Sequence, residues 1–448
     1  MITREQAAAA ADAWLNGTAP PERRRAVQMQ EFDLGWVVWA TSPLPENDLL
    51  AGERRPPAEV GGSRGVIDRW SGELSTWPMV AVDQVAQMYR EHRSGAQWAA
   101  APPAPPAPPA PAPAAPPTVG PGNMVVFSYR DASGEETYAN GLSGPGTPPP
   151  EFQIWAGLRG KGVRPEDVVG VHSDLEAADL PGAYRAKFLR ETFPAAQLSY
   201  SHRYGADRAR RAKGMAALVE QADAMRLLSG GAPRPAAAPA PVAFPAQPPA
   251  PLPDARLAGL LGEAFSDVRR YDPALLARTR LPEATRATLA TAGLPGVVPY
   301  FFAADTPSGA PAGGLLTDAA THMRARGTRA DEAALAVLAG HVRIGSDGGT
   351  AVTVQCVGGE NGVGAGCIWS VDITSGIGRY INHSAAAFGA CLAVVTGVLP
   401  RLRGADPHAA GAIVAEFQDA VAAIDPSALG DPENWWSVVV EQMWDGLL

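Results

Sequence analysis

From His172 to Gly205 the chain reads HSDLEAADLPGAYRAKFLRETFPAAQLSYSHRYG. The run from Val168 to Leu175 predicts a strand, Pro181-Gly182 a turn, Ala183 to Phe193 a helix and Gln197 to His202 a second strand. Working outward, VVFSYRD and EETYANGL predict two strands joined by a turn at Ala132-Ser133-Gly134. Pro148 to Pro150 then lead into a helix with Phe152, Trp155 and Leu158 on one face, and Asp207 to Leu228 predicts a last helix. The order β-β-α-β-α-β-α predicts a layered α/β module over residues 123–230.

On each side lies a Pro-Ala tract, residues 99–122 and residues 231–253. Such tracts bury no core and favour polyproline II at about 3.1 Å per residue, so they read as semi-rigid spacers. Three modules follow from them: 1–98, 123–230 and 254–448. In the first, Ala8, Ala11, Trp14 and Leu15 fall at helical spacing. AVQMQEF, GWVVWATS and GVIDRWSGELSTWP are strand-like, the last turning at Ser71-Gly72, and Val82 to His92 closes an α-β-β-β-α layer. Asp33, Asp68 and Glu73 read as turn or rim residues. In the third, helices over Ala255 to Arg270, Ala274 to Arg280 and Glu283 to Ala292 precede a strand in PGVVPYFFAAD and a helix in ADEAALAVLAG. Strands in HVRIGSDGGTAVTVQC and AGCIWSVDITSGIGRYIN, a long helix from Ser384 and two closing helices complete an α+β order. The fold class is therefore multidomain, mixing α+β and α/β modules.

The 448 residues exceed one core, and the net charge of −9 sits unevenly: 254–448 carries −7 while 123–230 is balanced. An acidic chain argues against nucleic-acid binding. Three cysteines, Cys356, Cys367 and Cys391, fit a reducing cytoplasm. The MITREQAAAAADAWLNG start reads as an amphipathic helix rather than a leader, and Ala385 to Leu399 is too short and small-sided to span a bilayer. A cytoplasmic protein with no membrane partner is expected.

The residues 173–185 resemble the bacterial polymorphic-toxin deaminases, whose domains carry a pattern like S-E-L-x-P-C-x-L-P-G-x-Y-C. Ser173, Leu175, Leu180, Pro181, Gly182 and Tyr184 keep its frame. The resemblance implies a three-layer α/β sandwich. It also places Ala178 and Arg185 at the two cysteine positions, Pro149 at the third ligand position and Glu151 at the proton-shuttling glutamate. MITREQA, FDLGWVVW and GVIDRWSGELSTWP resemble the YrhB-like immunity proteins. Ile344-Gly345-Ser346-Asp347, Asp372 to Gly376, Asn382-His383-Ser384 and Trp435-Trp436 resemble the fourth group of the SUKH superfamily, immunity proteins related to a yeast cell-wall regulator.

A zinc deaminase needs three protein ligands, usually one His and two Cys, with water in the fourth place. No cysteine precedes Cys356, so the middle module has no thiolate in any register. No metal, no cofactor and no catalytic residue are expected. His172, Asp174, Asp179 and His202 form a weaker alternative metal set, and the basic run Tyr204 to Lys213 reads as a solvated helix face rather than an RNA contact. GGENGVGAG reads as a hairpin loop, since it lacks the lysine of a phosphate loop. The flanking resemblances imply an immunity or decoy protein that binds protein toxins, basic nucleases or deaminases among them. The alternatives are a deaminase toxin and an adaptor unrelated to toxins. Binding anchors are expected among Trp435, Trp36 and Trp39. Trp436, Val440 and Trp444 form a core stripe that leaves Trp435 facing elsewhere, and Trp36 and Trp39 lie on opposite faces of a strand.

Overall fold

A computed structural model describes residues 2–16, 26–41, 59–77, 81–93, 116–228, 237–247, 249–358 and 364–448. The chain divides into two compact units, Met1–Pro113 and Ala114–Leu448.

In the first unit, α1 (Arg4–Asn16), β1 (Ala26–Phe32), β2 (Gly35–Thr41), β3 (Glu59–Asp68), β4 (Leu74–Trp77) and α2 (Val82–Arg93) follow one another. The four strands form an antiparallel sheet in chain order. The third strand-like run thus makes two strands, around a longer turn than the Ser71-Gly72 pair. Ile67 faces Leu74, and Asp68 ties the intervening loop by accepting from the backbone N–H groups of Trp70 and Ser71. The sheet is covered on both sides. Ala7, Ala11, Trp36, Val38 and Ile67 pack toward α1, and Val37, Val66, Val85 and Tyr89 toward α2.

The second unit opens with β5 (Met124–Arg130), β6 (Glu136–Leu142), α3 (Pro150–Gly160), β7 (Val168–Leu175), α4 (Arg185–Thr192), β8 (Gln197–His202) and α5 (Arg208–Leu228). The expected order holds, and the sheet runs β6-β5-β7-β8 with β7 and β8 parallel. Two details differ. The buried stripe of α3 is Glu151, Ile154 and Leu158, while Phe152 stacks on Phe188 and Trp155 meets Phe193 edge-on. α4 begins two residues late, because Tyr184 takes a left-handed conformation (φ 49°) before it.

The remainder contains α6 (Asp254–Ala264), β9 (Val268–Arg269), α7 (Pro273–Leu276), α8 (Glu283–Thr291), β10 (Leu294–Pro295), β11 (Val297–Val298), β12 (Phe302–Ala304), α9 (Ala319–Ala325), α10 (Glu332–Leu338), β13 (His341–Ser346), β14 (Ala351–Gln355), β15 (Ile368–Val371), β16 (Gly378–Asn382), α11 (Ala385–Leu402), α12 (Pro407–Ile424) and α13 (Trp435–Trp444). β11 to β16 form a six-stranded sheet in chain order. The first expected helix stops at Ala264, and Val268–Arg269 pairs instead with Leu294–Pro295. α11 starts at a Ser384 cap that accepts from Ala387 N. It is long and apolar enough to cross a membrane, but it lies in the core, where Phe388, Cys391, Leu392 and Val395 are buried.

The middle and third modules are not independent bodies. The described parts of both Pro-Ala tracts dock on the third module. Thr118 bridges Ala238, Val119 N donates to Pro407 O, and Gln418 Nε2 donates to Ala240 O. Backbone polar groups in a proline tract still need partners once they leave water, and the third module supplies them. Residues 99–115, residues 231–236 and most of GGENGVGAG lie outside the described residues.

Candidate functional site

The frame of the 173–185 pattern converges on the third module. Leu175, Ala178, Leu180 and Tyr204 share one buried cluster with Met215 and Leu218 of α5 and with Val438 and Leu447. Gly182 adopts φ 93°, and a Cβ there would strike Leu448. Tyr184 donates its hydroxyl to Asp347, and burial together with the Asp347 charge raises its pKa well above that of an ordinary tyrosine. Its ring lies so close to Gly349 that no Cβ fits there.

Asp347 explains part of the third module's motif. Its Oδ1 accepts from the backbone of Gly349 and Thr350, and its Oδ2 accepts from Ser370 Oγ (3.1 Å) and Trp435 Nε1 (3.0 Å). In parallel, Trp436 Nε1 donates to Asn382 Oδ1 (2.9 Å), and Asn382 Nδ2 donates to Asp425 Oδ2 (2.8 Å). Asp425 is held down to about 2: burial raises it, but hydrogen bonds from His383, Ser427 and Asn382 outweigh that. The motif residues thus give each buried indole N–H a partner.

Of the four positions that the deaminase resemblance singles out, two meet. Glu151 and Arg185 are both buried, with Nη1 and Oε1 3.9 Å apart. Among the described residues, neither Glu151 oxygen nor either Arg185 terminal nitrogen has a hydrogen-bond partner. Burial raises the Glu151 pKa, and the Arg185 charge opposes it. Ala178 is buried, and Pro149 is the residue before α3. Pro149, Gly182, Tyr300 and Leu448 also line a cavity of about 230 Å³. A catalytic zinc would need three donors here, and the set offers an imide ring, a methyl group and a guanidinium. These residues do not fit the metal.

A charge cluster built on a buried arginine flanks the pair. Arg211 is fully buried and grips Glu441 with Nε (2.9 Å) and Nη2 (2.8 Å), while Nη2 also reaches Glu433 (3.1 Å). Burial works against its charge, yet the carboxylates hold its pKa above the usual value. Arg379 joins Glu433 from the other side. Burial, with help from the Glu441 charge, pushes Asp445 up to about 7 although Tyr204 bonds to it. Part of the basic run therefore serves the junction and is not a solvated face. Sequence reasoning missed it because its partners lie over 200 residues away.

Several expected site residues stand elsewhere. Trp435 is fully buried, packed against Phe301 and Trp436 in the third module's core with its indole N–H on Asp347. It is a core residue and not a surface anchor. Trp436 and Trp444 are buried as expected. Trp36 is buried under α1, and half-buried Trp39 lies beneath the Arg64 guanidinium (5.3 Å), since this sheet has no open face. Trp70, within the β3–β4 turn, is 53% exposed and is not among the expected anchors. The alternative metal set is dispersed: His172 bonds Ser199 and Ser201, His202 bonds Gln221, and Asp179 pairs with Arg190. Among the described residues no group of three His, Cys, Asp or Glu side chains is placed to hold a metal ion.

Comparison with known families agrees with the three resemblances. Residues 5–96 match the family model described as Immunity protein 35-like domain, residues 120–221 that of Xanthomonas-like deaminase, and residues 252–442 that of SUKH-4 immunity protein. No curated protein and no solved structure matches the chain. The chain thus joins two regions that match immunity-protein family models to one that matches a deaminase family model.

Proposed function

We propose that this is a non-catalytic immunity or decoy protein that binds and neutralises a protein toxin of a bacterial polymorphic toxin system in the cytoplasm. The observation that carries the reading is Arg185, buried against Glu151 at a cysteine position of the deaminase pattern, in a chain flanked by immunity-family domains. A guanidinium is permanently cationic and cannot ligate zinc, so a metal-activated water has no support at that position. The same residues disfavour an active deaminase toxin. The domain limits 1–98, 123–230 and 254–448, and the three-layer arrangement of the middle one, belong to this proposal.

Two measurements test it. Toxin genes neighbouring this one should kill a bacterial host when expressed alone and spare it when this chain is co-expressed. The purified chain should release no ammonia from cytidine, adenosine or single-stranded DNA or RNA. Turnover on any of these would sink the non-catalytic reading, and failure to protect against every neighbouring toxin would sink the immunity reading.

A further inference from the structure

The third module touches the middle one partly through residues of the surviving frame and partly through others, Arg211 and Ser143 among them. Its α13 and the following segment cover the Leu180-Pro181-Gly182-x-Tyr184 turn. Gln442 Nε2 donates to Pro181 O (2.7 Å), Leu448 sits against Gly182, Asp347 accepts from Tyr184, and Ser143 Oγ donates to Gly446 O (2.8 Å). Of the surviving frame, Leu175, Leu180, Pro181, Gly182 and Tyr184 are contacted, and Ala178 lies in the same buried cluster. The residues that depart from it, Ala178 and Arg185, are those whose counterparts would bind metal. A domain that matches an immunity family thus holds a deaminase-like one at the turn that carries most of the surviving frame.

We propose that the surface formed by Asp347, Glu433, Glu441 and the segment Gln442–Leu448 is a receptor for deaminase-fold domains. The middle module is its resident occupant, and a deaminase-fold toxin is the partner that takes its place. This rests on the immunity reading and names the partner class. Glu433 and Glu441 meet a buried arginine, so the surface selects a domain presenting a cation beside the Pro-Gly turn. A tethered occupant acts at an effective concentration of order mM, so an incoming domain must bind the open surface considerably more tightly than that.

Exchange between full-length chains tests the receptor directly, with a second copy of the chain as the probe. Arg211→Glu in one chain and Glu433→Arg/Glu441→Arg in another each place like charges across the junction. Each variant alone is expected to be monomeric, with faster amide exchange over residues 442–448. Mixed, they restore opposite charges at both contacts of a swapped pair, and a 1:1 heterodimer should appear by light scattering at micromolar concentration. One chain carrying all three changes should return to the protected monomer. If Arg211→Glu fails to fold, Arg211→Met mixed with Glu433→Met/Glu441→Met repeats the test, since the second variant alone strands the buried Arg211 and the exchanged pair returns it to both carboxylates. Folded variants that stay monomeric when mixed would overturn the receptor. In cells, the wild-type chain should protect against a co-expressed deaminase-fold toxin. Protection against nuclease toxins alone would overturn the partner class and leave the immunity reading standing. Heterodimer formation without protection from any toxin would sink that reading and spare the receptor.

Discussion

At Arg185, one side chain decides how the deaminase-like module is read. Its position was legible, because the register from Ser173 to Tyr184 fixes which residue follows the tyrosine. What the register could not give was the direction of the side chain, which points inward to Glu151 and leaves polar atoms without hydrogen-bond partners among the described residues. If the register is right, Pro149→His, Ala178→Cys and Arg185→Cys together should bind about one zinc per chain, the demand of a three-ligand site. Metal content unchanged from wild type would show that these positions do not converge. Trp435 shows the opposite case. Helical spacing correctly gave the Trp436–Val440–Trp444 stripe, but the burial of Trp435 depends on Phe301 and Asp347, which the spacing of one helix does not show. Trp435→Ala should destabilise the second unit by about 3–5 kcal/mol, the usual cost of a large core truncation. Urea denaturation measures this, and an unchanged midpoint would return Trp435 to the surface.

The elements carry a similar division. In the first unit the strand alternation and the turn residues were readable, but the length of the β3–β4 turn was not, because Asp68 organises it through side-chain bonds. Asp68 is nearly inaccessible; burial would raise its pKa, but Ser71 N, Tyr89 Oη and Trp70 N donate to it and hold it down to about 2. Its folded value thus lies below the unfolded one near 3.8. The stabilisation it provides is present above that pH and is lost as pH falls toward about 2. Tyr89→Phe should cost the first unit about 1.5–3 kcal/mol, the range for a hydrogen bond to a charged group, and should weaken this acid dependence. Hydrogen exchange of the Val66 and Ile67 amides is the local readout. Equal protection in variant and wild type at neutral pH would mean that the Tyr89–Asp68 bond does not hold the turn to α2.

For the whole molecule, composition marked two spacers, yet residues 114–448 fold together. A proline tract signals only that a segment has no core of its own. Whether the modules beside it pack on each other depends on surface complementarity, here Arg211 with Glu433 and Glu441 and the Pro181-Gly182 turn with Leu448. The expectation of three separately folding modules therefore becomes one of two cooperative units. Limited proteolysis should leave a fragment spanning 114–448, and separate fragments of 123–230 and 254–448 would contradict the joint core. The junction should also respond to pH. Asp445 has a folded pKa raised to about 7 from 3.8, because burial and the neighbouring Glu441 disfavour its charge. A raised carboxyl binds its proton more tightly in the folded state, so its stabilising contribution is full below 3.8 and is lost as pH rises through about 7. The amides of Gly446 and Leu447, which bond Met443 O and Gln442 O, should therefore open more readily as pH rises across that window, after correction for intrinsic exchange. Asp445→Asn cannot ionise and should flatten this trend. A variant that keeps the wild-type slope would assign the pH response to another group at the junction.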